Sequence, residues 1–155
     1  MNSTPSGNGK DCDTDALNSL LRGELSAVET YEQAMKKFEG GDQGVLSNLR
    51  RIRDQHADAV GELRSRVVQF GGQPSASSGP WGTFAAAVTG TAKAFGPGTA
   101  LSALREGEEH GISEYEEALR NEKIDRGCKE VIQTRLMANC QRHVAELNRM
   151  IDSAK

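Results

Sequence analysis

This chain of 155 residues has few aromatic residues, few cysteines and no excess of positive charge. Phe, Trp and Tyr make up 5% of it and runs of β-branched residues are few, whereas Ala, Leu, Glu and Arg are frequent, which favours an all-helical protein. The formal net charge is -3 with both signs interspersed, so there is no basic face and we expect no nucleic-acid partner. No apolar run reaches the length of a membrane span, so we expect no membrane partner either.

Cysteine usage indicates a compartment rather than a metal finger. Cys12, Cys128 and Cys140 are odd in number and lack the paired spacing of zinc sites, and no secretory signal precedes them. A reducing environment fits this pattern, and we expect a cytoplasmic protein.

The chain does contain an internal repeat, in which the segment around Glu24 matches the segment around Glu108 at an offset of 84 positions. Apolar residues recur at spacings of three and four in both copies, so each is an amphipathic helix with its glutamate on the buried stripe. A buried carboxylate needs a cation, a hydrogen-bond donor or a metal. The matching residues are Leu17, Leu20, Glu24, Val28, Tyr31, Glu32, Ala34 and Met35 in the first copy and Leu101, Leu104, Glu108, Ile112, Tyr115, Glu116, Ala118 and Leu119 in the second.

The domain organisation follows from glycines, caps and apolar stripes. Residues 1–13 are polar and unpatterned and are predicted to be a disordered tail, and residues 14–155 form one domain. The predicted helices span about 14–38, 45–70, 99–121 and 125–151. Between Gly71 and Gly98 lies a long crossover with a short apolar helix over about 84–95, which we expect to pack on the bundle and bury Trp81 or Phe84. Short links within each pair and a long link between pairs predict a four-helix bundle with ferritin-like order.

Histidines on the second and fourth predicted helices complete a candidate metal site. His56 and His143 correspond when these helices are aligned, so both are expected at the level of Glu24 and Glu108. Carboxylate and neutral imidazole are usual ligands for Fe, Mn or Zn in a bundle. The sequence therefore predicts a site of two Glu and two His that binds one or two Fe or Mn ions, with Zn as a further possibility.

Four further residues are expected around this site. Tyr31 and Tyr115 lie on the same stripes as the glutamates and would donate hydrogen bonds to the ligands, or simply pack their rings. Arg53 lies one turn before His56; in the alternative interpretation it pairs with a glutamate and makes a metal-free polar network. Cys140 lies one turn before His143 and faces the site, as a buried cysteine or as a ligand. His110 points to another side of its helix and is expected in solvent.

At these residues the chain resembles the ferritin-like four-helix-bundle superfamily and, over nearly all of residues 16–151, a bacterial ferritin-like domain family of unknown function. The resemblance is carried by the stretches LLRGELSAVETYEQA, FGGQP, SGPWGTFAAAVTG and ALREGEEHGISEYEEAL. It implies the fold and a bundle-core metal. The superfamily's Glu-x-x-His motifs are replaced here by Arg53-x-x-His56 and Cys140-x-x-His143, so two carboxylates of a di-iron centre are missing and a single ion is at least as well matched.

Two functions of different kinds remain open from the sequence. The first is a metal-binding protein, with Fe or Mn in the bundle core and a redox, oxidative-stress or metal-handling role. The second is a non-catalytic bundle with a metal-free polar core that acts as a structural or protein-interaction module. A zinc hydrolase is weaker, because no general base or substrate cleft is evident. We expect a homodimer, since bundles of this size commonly pair along helix faces.

Overall fold

The computed structural model describes residues 12–78 and 96–154, and within them every regular element is a helix. This confirms the predicted all-helical bundle for the described part of the chain. Three rods are single helices, and the fourth consists of two α-helical stretches around a π-helical turn. The elements are α1 (Thr14–Lys37), α2 (Gln43–Gln69), α3 (Pro97–Arg120), α4 (Arg126–Val131), the π-helical turn (Ile132–Leu136) and α5 (Met137–Ser153).

Aspartates and glycines define the ends of these helices. The side chain of Asp13 accepts a hydrogen bond from the backbone N–H of Ala16, so the cap of α1 lies one residue before the predicted Thr14 and two before Asp15. Asp42 caps α2 and Asp125 caps α4 in the same way. After α2 the chain turns at Gly71, whose φ of 83° is readily adopted only by glycine. The predicted helix boundaries are therefore close to those of the structure.

The sequential helices pair with each other. The most extensive packing is between α1 and α2 and between α3 and α5, and the two pairs meet chiefly through α1 and α3. The apolar core is divided into two clusters along the bundle axis. One contains Leu17, Leu21, Leu63, Tyr115 and Ile132, and the other contains Tyr31, Leu49, Leu104 and Leu147.

A polar layer separates the two apolar clusters. In α1 the first cluster ends at Leu21 and the second begins at Ala27, with Glu24 between them. His56, Glu108 and His143 occupy the equivalent interval in α2, α3 and α5. The bundle therefore places four polar residues at one level of an otherwise apolar interior.

Several sequence predictions lie outside the described residues. These are residues 1–11 of the disordered tail predicted over 1–13, the short helix over 84–95 and the burial of Trp81 or Phe84. Residues 12 and 13 of the predicted tail are described, and Asp13 caps α1. Within the described ranges, none of the helices is long and apolar enough to cross a membrane.

Candidate metal centre

Each of the four rods contributes one side chain to the polar layer. Glu24 comes from α1, His56 from α2, Glu108 from α3 and His143 from α5, and all four are buried. Glu108 is 0% exposed, His143 1% and His56 2%, whereas Glu24 retains 6%. Ionisable groups at this depth need partners, because desolvation of an isolated charge is costly.

Glu108 is the hub of the layer, and its partners converge on one carboxylate oxygen. The hydroxyl of Tyr31 donates a hydrogen bond to Oε1 over 2.6 Å, and Nε2 of His56 lies 2.8 Å from the same oxygen. Nδ1 of His143 also approaches Oε1, at 3.2 Å. Three groups from three other rods thus meet at a single oxygen atom.

Glu24 lies on the far side of the His56 ring. Its Oε2 is 2.5 Å from Nδ1 of His56, and its Oε1 accepts a hydrogen bond from the hydroxyl of Tyr115. Each tyrosine therefore donates its hydrogen bond to the glutamate of the other repeat. Because Glu24 contacts Nδ1, it holds the His56 ring with Nε2 directed at Glu108.

His143 is held by a residue that the sequence analysis did not identify. Nε2 of His143 lies 2.6 Å from Oε1 of Gln55, which precedes His56 on α2. With Gln55 accepting from Nε2–H, Nδ1 is the ring nitrogen that faces Glu108. The available signal was the position of Gln55 beside a buried histidine, which places its amide at the interface between α2 and α5.

Two buried polar atoms of this layer have no hydrogen-bond partner among the described residues. They are Oε2 of Glu108 and Nδ1 of His143. Nδ1 lies 3.2 Å from Oε1 of Glu108, but no hydrogen bond forms across that contact. Buried atoms of this kind are rare in native structures and call for an explanation such as a bound ion.

These atoms belong to the cluster with the best geometry for a metal. His56, Glu108 and His143 each offer a ligand atom, and the three atoms lie within 4.8 Å of one another. Both imidazoles have their other nitrogen held by a side-chain oxygen, from Glu24 or from Gln55, which is the usual support of a metal-binding histidine. Of the four predicted ligands, three form this cluster, and Glu24 lies behind His56.

The electrostatics of the layer are dominated by attraction between the imidazoles and the carboxylates. Burial by itself lowers the pKa of His56, but the charges of Glu108 and Glu24 outweigh it and raise that pKa to about 10. Burial raises the pKa of Glu108, and the attraction of His56 and His143 reverses this and holds it well below its usual range. At neutral pH the metal-free layer therefore contains a charged His56 between two carboxylates.

The two tyrosines and the cysteine beside the layer stay neutral. Burial, followed by the neighbouring carboxylates, raises the pKa of Tyr31, Tyr115 and Cys140 well above their usual values. The tyrosines therefore act as hydrogen-bond donors. Cys140 is 2% exposed and faces the carboxylates Glu108 and Glu24 as a thiol.

Arg53 lies at the surface rather than in the layer. Its guanidinium pairs with Glu32 at 3.1 Å and with Asp54 at 2.8 Å. The positive charge between the two buried glutamates is supplied by His56, so a metal-free network would depend on imidazolium and not on Arg53. His110, expected in solvent, is half-buried and lines a small cleft beside Glu24.

A comparison with protein families gives one match. A model of the family described as Domain of unknown function (DUF2383) matches residues 13–121, which cover the first helix pair and α3. No curated protein and no solved structure matches the chain.

Proposed function

The chain belongs to the family Domain of unknown function (DUF2383), whose description names no activity, so we propose its function from the polar layer. We propose that it is a metal-binding protein whose core holds one first-row divalent ion. The ligands are Nε2 of His56, a carboxylate oxygen of Glu108 and Nδ1 of His143. The observation that carries the proposal is the pair of buried atoms without partners, Oε2 of Glu108 and Nδ1 of His143. Both belong to the three-residue cluster, so one ion would satisfy both.

Charge balance supports one ion rather than two. Glu24 and Glu108 together carry two negative charges, which one divalent ion and two neutral imidazoles neutralise. A second ion would leave an excess of positive charge in an apolar interior, which is costly. The Glu-x-x-His carboxylates that would compensate a second ion are absent, and Glu146, which follows His143 by one turn, pairs with Arg51 at the surface.

The ligand set favours iron or manganese. Two histidines and one carboxylate with open positions are typical of non-haem Fe(II) sites, and Mn(II) accepts the same donors. Zinc also binds two histidines and a glutamate and is a further candidate. An Fe or Mn ion supplies redox chemistry or is handled as cargo, and both fit a role in oxidative stress or metal handling.

Within this proposal Glu24 and Gln55 position the histidines. Glu24 fixes His56 with Nε2 facing Glu108, and Gln55 fixes His143 with Nδ1 facing Glu108. Such supporting partners typically contribute 10–100-fold to metal affinity. Tyr31 and Tyr115 neutralise part of the carboxylate charge by donating to Glu108 and Glu24.

We further propose that the bundle has ferritin-like order and pairs as a homodimer in a reducing cytoplasm. The order is supported by short links within each helix pair, at 38–42 and 121–125, and by a long link between the pairs. Sedimentation of the full chain at micromolar concentration tests the dimer, and a monomer alone would contradict it.

Thermal unfolding with and without added ions tests metal binding. An ion at 100 times its dissociation constant stabilises the fold by about 2.7 kcal/mol, which raises Tm by roughly 5–10 °C for a domain of this size. We expect this rise with Mn(II), or with Fe(II) in the absence of air, and its loss in Glu108→Gln. The half-buried Glu62→Gln, whose carboxylate pairs with Arg66 and Arg135 away from the layer, is the matched control. No shift with any first-row ion would contradict the proposal.

The second candidate is a structural bundle whose core polar layer needs no metal. The specific observation in its favour is the position of His56, whose raised pKa lets it pair as a cation with Glu24 and Glu108 together. Under this alternative the parent protein contains no metal, and added ions leave Tm unchanged both in the parent and in the variant in which Glu24 and Glu108 are together replaced by Gln. Under the metal-binding proposal the same double variant loses the metal-induced rise in Tm.

A further inference from the structure

A cleft between α1 and α3 leads towards the polar layer. It has about 20 Å³ of room for water, enough for about one water molecule. Glu24, the most exposed of the four residues of the layer, is part of its lining. The cleft is lined by Ser19, Leu20, Gly23, Glu24, His110, Gly111 and Glu114.

A wider surface groove adjoins this cleft along the same two helices. It has about 270 Å³ of room for water, and it shares Ser19, Leu20 and Glu114 with the cleft. Glu117 lies on its wall, one turn beyond Glu114 on α3. Cleft and groove together therefore run from the surface to Glu24, and we call them the α1–α3 inlet.

The chemistry of the α1–α3 inlet fits a small cation. Three carboxylates follow one another along it, from Glu117 at the surface through Glu114 to Glu24. Carboxylates lining a narrow passage raise the local concentration of cations and repel anions. Gly23 on α1 and Gly111 on α3 contribute no side chains to its lining.

We infer that the α1–α3 inlet is the route by which a divalent metal ion enters and leaves the bundle core. This inference rests on the proposed metal-binding function. The ion is drawn in by Glu117 and Glu114, passes Ser19 and reaches Glu24, whose carboxylate contacts Nδ1 of His56. The ligand atom Nε2 lies on the opposite side of that ring, so entry to the core requires the contact between Glu24 and His56 to open. Glu24 then has two roles, as the support of the His56 ring and as the last acidic group before the ligands.

A rate measurement distinguishes a passage from a binding site. Obstructing a passage slows entry and exit by the same factor and leaves the dissociation constant unchanged, whereas damage to the ligands changes that constant. Metal-free protein is mixed rapidly with Co(II), and uptake is followed by the visible absorption of the bound ion. Release is followed by adding a strong chelator.

One variant obstructs the inlet and another removes one of its charges, and neither changes a metal ligand. Ser19→Leu fills the point shared by cleft and groove, and we expect it to slow both uptake and release by about tenfold. Glu114→Gln removes one charge, and we expect uptake to slow roughly threefold and to depend less on salt. The matched controls are Ser65→Leu and Glu116→Gln, which lie on exposed helix faces and should leave both rates unchanged.

The outcomes separate this inference from the function on which it rests. If the parent binds Co(II) and the inlet variants alone change the rates at constant affinity, the inference holds. If the parent binds Co(II) with the same rates in Ser19→Leu and Glu114→Gln, the inlet is overturned and the metal site stands. Should the parent bind no Co(II), both are overturned. Glu114→Gln changes a half-buried side chain at the groove, so it remains informative if Ser19→Leu fails to fold.

Discussion

In the first helix pair, α1 with α2, the ring of His56 lies between two carboxylates, whereas in the second pair, α3 with α5, the ring of His143 lies between one carboxylate and the amide of Gln55. The repeat would lead one to expect Glu24 at Nε2 of His143, as Glu108 lies at Nε2 of His56. Glu24 is instead occupied by His56 and Tyr115. The two halves carry the same ligand types at matching positions but use them differently.

The difference indicates how many ions the layer can hold. Both oxygens of Glu24 have partners, while Glu108 keeps one oxygen without a hydrogen bond among the described residues. A symmetric layer would offer the same opening in both halves and would suit two ions. The described residues offer one such opening, which under the metal-binding proposal suits one ion.

The largest expected effect is a difference in metal affinity between the variants of the two glutamates. Glu108→Gln removes a ligand, so we expect metal binding to be lost, measured by calorimetric titration with Mn(II). Glu24→Gln removes only the support of His56, so we expect affinity to fall by about 10–100-fold. Equal losses in the two variants would restore the symmetry of the halves and contradict the assignment of Glu24 as a supporting residue.

The next effect is a pH dependence that belongs to the first half. The pKa of His56 is raised from 6.5 in the unfolded chain to about 10 in the fold, so its stabilising charge is fully present below about pH 6.5 and is lost as pH rises through about 10. We expect Tm of the metal-free protein to fall across this interval. In His56→Gln the fall should be smaller, and an identical fall in both proteins would show that the charge of His56 does not stabilise the bundle.

Removing the tyrosine hydroxyls should affect the two halves alike. Tyr31→Phe and Tyr115→Phe each delete one hydrogen bond to a buried carboxylate, worth about 1.5–3 kcal/mol. Urea unfolding of the metal-free protein should show similar losses in both variants. A loss below about 0.5 kcal/mol would mean that the tyrosines merely pack their rings, as one interpretation of the sequence allowed.

A smaller effect sharpens the comparison at Gln55. Its counterpart in the second half is Arg142, an exposed residue that contacts Asn139. Gln55→Leu should lower Mn(II) affinity by about tenfold, because the His143 ring loses its orienting partner, whereas Arg142→Leu should leave it unchanged. Gln55→Glu keeps the acceptor and should recover most of the affinity. If Gln55→Leu binds Mn(II) like the parent, Gln55 does not position His143.

The smallest effect is expected at Arg53, which occupies the position of Cys140 in the other half. Because its ion pairs with Glu32 and Asp54 are at the surface, Arg53→Ala should cost less than about 1 kcal/mol of unfolding free energy. Mn(II) affinity should not change. A large loss of stability would indicate that Arg53 pairs with a buried glutamate, the alternative that the sequence left open.

The sequence predicted the helices well because their signals are local. Asp13, Asp42 and Asp125 cap helices by hydrogen bonds within three residues, and the apolar stripes identify the buried faces. The stripes also place Glu24, His56, Glu108 and His143 at one level. What a stripe does not encode is which nitrogen of a ring faces which oxygen, because that depends on contacts between helices.

The details that the sequence did not predict are all long-range. Three of these details depend on the relative rotation of separate rods. They are the binding of each tyrosine to the glutamate of the other repeat, the contact of Gln55 with His143 and the surface position of Arg53. The π-helical turn over Ile132–Leu136 is a further feature that was not predicted, and α2 has no such interruption. A π turn changes the rotation of the residues that follow it, here α5 with His143.

Metal analysis of the untagged protein tests the central claim most directly, because it counts ions without assuming which one is bound. Elemental analysis of protein produced in medium containing iron and manganese should find about one first-row ion per chain, and that ion should be absent from Glu108→Gln prepared in parallel. About two ions per chain would contradict the asymmetric site for a single ion. A metal-free parent that gains no stability from added Fe(II) or Mn(II) would show that the layer is a structural network of His56 and its two carboxylates.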